Sequence, residues 1–102
     1  MDFSQEDLTG PMKLEITAFP NPFSDQVRIQ FQIEETQSVQ LEVFNMQGQR
    51  VKTLYQGQLD AGRQDQVWQG DADNGQALDG GVYMIRLTAA KQMISQKVTL
   101  LR

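Results

Sequence analysis

The sequence predicts an all-β domain, an immunoglobulin-like antiparallel β-sandwich of about seven strands. Apolar and polar residues alternate with a period of two along most of the chain, the pattern of strands that bury one face. Short clusters of Gly, Asn and Asp separate these segments and supply the positive φ angles that tight turns need. No long segment has apolar residues at helical spacing, so we expect no substantial helix.

Each predicted strand is identified by its apolar positions. In chain order, the strands are expected at Leu14 to Ala18, Val27 to Ile33, Val39 to Val43, Val51 to Tyr55, Asp65 to Gln69, Tyr83 to Leu87, and Ile94 to Leu100. Their connections contain polar or turn-forming residues: Glu34 to Gln37, Gln47-Gly48, Asp60-Ala61-Gly62, Asp73-Asn74-Gly75 and Asp79-Gly80-Gly81. Residues 1 to 13 lack periodicity, so we interpret them as a flexible linker and residues 14 to 102 as the sandwich.

The motif PNPF lies between the first two predicted strands. Pro20 and Pro22 fix their own φ angles and favour extended conformations at Phe19 and Asn21. Because proline cannot donate a hydrogen bond to a β-ladder, this segment predicts a sheet edge or a crossover between strands. The side-chain amide of Asn21 is expected to cap the bend.

The composition excludes several classes of function. The 102 residues fit one domain. Neither cysteine nor histidine is present, which excludes disulfides, His/Cys zinc sites and histidine-based triads. The net charge is −4 and the basic residues are scattered, so no nucleic-acid partner is expected. No apolar run approaches the about 20 residues of a membrane helix, so we do not expect a membrane-spanning protein.

The segment DADNG is the one candidate for a cation site. Asp71 and Asp73 match the first and third ligand positions of a calcium loop, but glycine falls at the fifth position and Val82 occupies the twelfth. A turn is therefore favoured, with a weak calcium site as the alternative, and no cofactor is predicted.

The remaining candidates for chemistry have a structural interpretation. Asp65, Asp71, Asp73 and Asp79 are expected to be solvated turn residues rather than paired catalytic acids. Trp68 and Tyr83 could form a carbohydrate platform, but aromatic residues on the strands of a small sandwich more often belong to the core. The sequence thus predicts no enzyme.

Five motifs follow one another along the chain. They are Pro20-Asn21-Pro22-Phe23, the run VQLEVFNMQGQRVKTL, Gly62 followed by Trp68-Gln69-Gly70, the run DADNGQALDGGVYMIRL, and the final QKVTLLR. The ordered set resembles the C-terminal sorting domain of the type IX secretion system, type A (the Por secretion system family), found in Bacteroidota, over residues 14 to 102. The family often has aspartate where Gln69 stands and serine where Gly80 stands.

This resemblance implies a non-catalytic secretion signal. Such a domain directs a fused cargo across the outer membrane through the type IX translocon, and a sortase-like surface protease then usually removes it. The implied route runs through the periplasm to the cell surface or the medium. Because the segment MDFSQEDLTG is acidic and polar, the cargo's signal peptide is expected outside this fragment.

The resemblance also implies which residues the translocon recognises: Pro20, Asn21, Pro22, Gly81, Val82, Tyr83, Lys97, Val98, Leu100 and Arg102. One hypothesis is that a receptor adds a strand to an exposed edge, with the Gly80-Gly81 backbone and the last strand as its handles. Such an edge would also allow a weak dimer.

The alternative is a structural or carbohydrate-binding immunoglobulin-like module of a cell-surface protein. A spacer of that kind can be followed by more chain, whereas a sorting domain is expected to end its polypeptide, as KVTLLR does here.

Overall fold

The structure, a computed structural model, describes residues 14–90 and 92–102. The predicted linker, residues 1 to 13, lies outside the described residues. Within them, the chain forms seven strands and no helix: β1 (Ile16–Phe19), β2 (Val27–Ile33), β3 (Gln37–Phe44), β4 (Arg50–Leu59), β5 (Gly62–Trp68), β6 (Gly81–Ala89) and β7 (Gln92–Leu100). The all-β prediction is confirmed, and the part of the chain described here contains no helix long and apolar enough to cross a membrane.

The strands form two sheets, each with antiparallel pairing between its neighbouring strands. One sheet has the order β1-β2-β5 and the other the order β4-β3-β6-β7. Five strands, β3 to β7, are longer than their apolar patterns predict, because their ladders continue with the partner strands. Leu59 pairs with Gln37 at the end of β4, and Gly62 pairs with Ile33 at the start of β5.

The core lies between the two sheets and follows the predicted alternation. In β2, the buried and more exposed residues alternate from Val27 to Ile33. Three aromatic side chains fill one end of the core: the ring centroids of Phe23 and Trp68 are 5.5 Å apart, and those of Trp68 and Tyr83 are 5.3 Å apart, edge to face. Trp68 is 0% and Tyr83 7% exposed. The core interpretation of both residues is confirmed, and neither offers a face on which a sugar could stack.

Candidate functional site

The PNPF segment lies along the outer edge of β7, and we call the contact between residues 21–23 and residues 97–101 the seam. The first two hydrogen bonds of the seam are formed by the side chain of Asn21. Its Nδ2 donates to the carbonyl of Lys97 at 2.9 Å, and its Oδ1 accepts from the amide of Thr99 at 3.0 Å. The side-chain amide therefore takes the place of a peptide group in a β-ladder, rather than capping its own bend as expected.

The backbone of Phe23 continues this ladder. Its amide donates to the carbonyl of Thr99 at 2.9 Å, and its carbonyl accepts from the amide of Leu101 at 2.7 Å. Phe23 and Leu100 form a parallel bridge. The chain therefore leaves β1 in one sheet and joins the edge of the other across Pro20 and Pro22, which confirms the predicted crossover.

The seam contradicts the hypothesis that the last strand and the Gly80-Gly81 backbone offer an exposed edge to a receptor. The edge of β7 from Lys97 to Leu101 already accepts and donates its outward hydrogen bonds within the chain. Gly81 pairs with Leu100, and a Cβ on Gly80 would lie 3.1 Å from the carbonyl oxygen of Leu100. A partner strand could not add along this length without first displacing the PNPF segment. Weak dimerisation through other edges stays a prediction.

Arg102 connects the end of β7 to the loop that precedes β6. Its Nε donates to the carbonyl of Leu78 at 2.7 Å, and its Nη2 donates to the carbonyl of Gly70 at 2.9 Å. Gly70 has φ +73°, and a Cβ there would lie 2.6 Å from Nη2 of Arg102. Glycine at position 70 thus leaves room for the guanidinium, and we call this arrangement the Arg102 clasp.

The aromatic core supports the same loop through two polar side-chain atoms. Trp68 Nε1 donates to the carbonyl of Asp71 at 2.9 Å, and the hydroxyl of Tyr83 donates to the carbonyl of Asp79 at 2.7 Å. Burial raises the pKa of Tyr83, the carboxylate of Asp79 raises it further, and the cation of Arg102 opposes both effects. The Tyr83 hydroxyl is therefore a hydrogen-bond donor at neutral pH.

The aspartates of DADNG bind β4. Asp71 Oδ2 lies 3.0 Å from Lys52 Nζ. Asp73 pairs with the strand edge, since its amide donates to the carbonyl of Val51 at 3.0 Å and its Oδ1 accepts from the amide of Thr53 at 2.9 Å. No group of three potential metal ligands occurs within residues 14–90 and 92–102. The turn interpretation is confirmed, and the turn covers an edge of the sheet.

The structure brings the predicted recognition residues to one end of the sandwich. Gly81, Val82 and Tyr83 pair with Leu100, Thr99 and Val98, next to the seam and the Arg102 clasp. Val98 and Leu100 are buried, so of the last strand's predicted residues only Lys97 and Arg102 are exposed. Sequence reasoning missed the carbonyl groups of Gly70 and Leu78. The Trp68-Gln69-Gly70 motif singled out Gly70, but nothing in the sequence indicated that Arg102 binds its carbonyl group.

Comparisons with known proteins agree with this fold. The family model described as the secretion system C-terminal sorting domain matches residues 17–100. No curated protein matches the chain.

Two solved structures from Porphyromonas gingivalis resemble the domain. A region of dimeric latent PorU superposes with a TM-score of 0.72 at 14% identity, over 90% of this chain and 10% of that one. A region of PorZ, described as an essential bacterial surface component of the type IX secretion system, superposes with a TM-score of 0.59 at 18% identity, over 85% of this chain and 11% of that one. The chain thus spans about a tenth of each, and the likeness establishes the shared fold.

Proposed function

The chain belongs to the family of secretion system C-terminal sorting domains, which are signals for type IX secretion, and we propose that the outer-membrane translocon binds it as a folded sandwich through the surface around the seam. In this proposal the domain is not an enzyme. It carries a fused cargo from the periplasm across the outer membrane, to the cell surface or the medium.

One observation carries this proposal: three stretches far apart in sequence form one surface. Asn21 and Lys97 are in direct contact although 76 residues separate them. Gly81 and Val82 lie on the strand paired with β7, and the clasp places Arg102 beside that strand. A partner that binds this surface would recognise the domain only after folding, because the unfolded chain does not bring these residues together.

We further propose that the cargo precedes this domain and that a sortase-like protease cuts within residues 1 to 13. The first described strand, β1, begins at Ile16. A cut in that segment would therefore release the cargo while leaving each of the seven strands intact.

A reporter fusion tests the function. Residues 1 to 102 would be fused to a fluorescent protein with a Sec signal and produced in strains with and without the type IX translocon. We expect reporter at the surface or in the medium only when the translocon is present. Reporter retained in the periplasm of both strains would contradict the proposal and favour a structural module, provided that a native cargo is secreted by the same strain.

Two variants separate recognition from folding. Deletion of Val98 to Arg102 should abolish secretion, but it also removes buried core residues. Lys97→Glu changes only an exposed side chain, because the seam uses the Lys97 carbonyl. We expect Lys97→Glu to lower secretion at least threefold with an unchanged Tm. Arg63→Glu, the same charge reversal on the other sheet, should leave secretion unchanged. Equal secretion by the two variants would argue against recognition at the seam.

A further inference from the structure

The outer face of the four-stranded sheet carries a groove next to the seam. Its volume is about 320 Å³, and its lining includes Phe44, Met46, Met84, Arg86 and Ser95. Phe44 pairs with Met84 across neighbouring strands, and Met84 pairs with Lys97. Met46 in the adjoining hairpin is 62% exposed. Apolar side chains therefore reach solvent on a sheet face where other positions, such as Gln40 and Thr88, are polar.

A buried carboxylate holds two basic side chains, that of Arg86 in the groove and that of Arg50, which pairs with Phe44 beside it. Glu42 is 7% exposed at its side chain and lies 3.3 Å from Nη1 of Arg50 and 3.6 Å from Nη2 of Arg86. The guanidinium of Arg86 also stacks on the ring of Phe44, 4.1 Å from its centroid, an arrangement that stabilises a cation on an aromatic face. The Arg86 side chain is thus held in place before any partner arrives.

The net charge of the groove and its immediate neighbours is opposite in sign to that of the domain. Glu42 faces two arginines, and Lys97 adds a third positive charge beside Met84, whereas the whole chain has a net charge of −4. The uncompensated positive charge favours an anionic partner, and it steers that partner to this face because the remainder of the domain repels it.

We propose that this groove docks an acidic segment of a translocon protein that carries an apolar side chain between its carboxylates. The proposal rests on the proposed function and extends the recognition surface from the seam through Lys97. The carboxylates lie against Arg86 and Lys97, and the apolar side chain lies between Phe44, Met46 and Met84. A protein segment fits this groove better than a lipid headgroup does, because apolar side chains line it beside its basic groups.

Introducing a negative or a positive charge at one exposed methionine tests the sign of the partner's charge. Both variants at position 46 lose the apolar contact, but Met46→Glu also repels an acidic segment and should lower the translocon-dependent secretion of the reporter at least threefold, whereas Met46→Lys attracts that segment and should lower secretion clearly less. Met93→Glu is the matched control, since Met93 is 60% exposed and does not line the groove. Both positions are exposed, so we expect the three variants to keep the wild-type Tm.

The outcomes distinguish this proposal from the proposed function. If the wild-type reporter is not secreted, the proposed function fails. If it is secreted but Met46→Glu behaves like Met93→Glu, or Met46→Lys is as defective as Met46→Glu, the acidic docking segment is refuted. A photo-crosslinking residue at position 46, compared with one at position 93, identifies the occupant. A crosslinked peptide with aspartate or glutamate flanking an apolar residue supports the proposal, whereas crosslinks to lipopolysaccharide or to a basic peptide overturn it.

Discussion

Removal of the Asn21 side chain should weaken the seam. Asn21→Ala deletes the donor to the Lys97 carbonyl at 2.9 Å and the acceptor for the Thr99 amide at 3.0 Å. A hydrogen bond contributes about 0.5–1.5 kcal/mol to the free energy of unfolding. Because both bonds are exposed and water can replace them in part, we expect a total loss of about 1–2 kcal/mol. Asn21→Asp should keep the bond to Thr99 but place a second acceptor against the Lys97 carbonyl.

Hydrogen exchange measured by NMR reports on the bond from the Thr99 amide, and urea unfolding of Asn21→Asp reports on the bond to the Lys97 carbonyl. The Thr99 amide should be protected in the wild type and should exchange about 5–30-fold faster in Asn21→Ala, the ratio that corresponds to 1–2 kcal/mol. In Asn21→Asp its protection should persist although urea unfolding reports a loss of stability. Thr36→Ala, which removes only an exposed side-chain hydrogen bond at 3.5 Å, is the control and should cost less than about 0.5 kcal/mol. Equal Thr99 exchange in the wild type and in Asn21→Ala would refute the strand-like role of this side chain.

Three other contacts give predictions that equilibrium measurements can check. Gly70→Ala places a Cβ 2.6 Å from Arg102 Nη2, whereas Gly75→Ala meets no atom within 4 Å at a similar positive φ. Urea unfolding should therefore show about 1 kcal/mol more loss for Gly70→Ala, and equal losses would contradict the clasp. Because the pKa of Tyr83 is raised in the folded state, the unfolded state releases this proton first, and stability should fall as the pH rises above about 10. Tyr83→Phe should lack that part of the pH dependence, and parallel curves would disprove its origin. Asp73→Ala removes the acceptor of the Thr53 amide in β4, so it should lower the free energy of unfolding by about 0.5–1.5 kcal/mol. The Thr53 amide should then exchange faster than in the wild type, and an unchanged exchange rate would contradict the contact.

The strands were predictable because their physical signal is local. A strand with one buried face must alternate apolar and polar residues, and β2 does so from Val27 to Ile33. The ends of β4 and β5 were less predictable, since their extra residues are mainly glutamine, glycine and arginine. The length of a neighbouring strand decides whether such residues join a ladder, and the alternation pattern carries no information about that length.

The polar contacts of the site were not predictable because they join distant residues through groups that every sequence has. Asn21 binds the amide of Thr99, 78 residues away, and Arg102 binds two carbonyl groups of the loop before β6. A pattern of side chains cannot indicate which backbone groups will be left without a ladder partner. Glu42 illustrates the same limit, since it lies at an outward position of β3 and is nevertheless buried by Arg50 and Arg86.

The four-stranded sheet has two outer strands, and the chain covers part of each with an Asx residue. Asn21 pairs with Lys97 and Thr99 of β7, and Asp73 pairs with Val51 and Thr53 of β4. An Asx side chain can supply a rung of a ladder and let the backbone turn away, which blocks edge-to-edge association over those residues. Such closure also constrains recognition. Backbone hydrogen bonds at an open edge are the same for every sequence, whereas a partner of this closed edge must contact side chains. Under the proposed function, specificity at this end of the sandwich therefore depends on which side chains surround the seam.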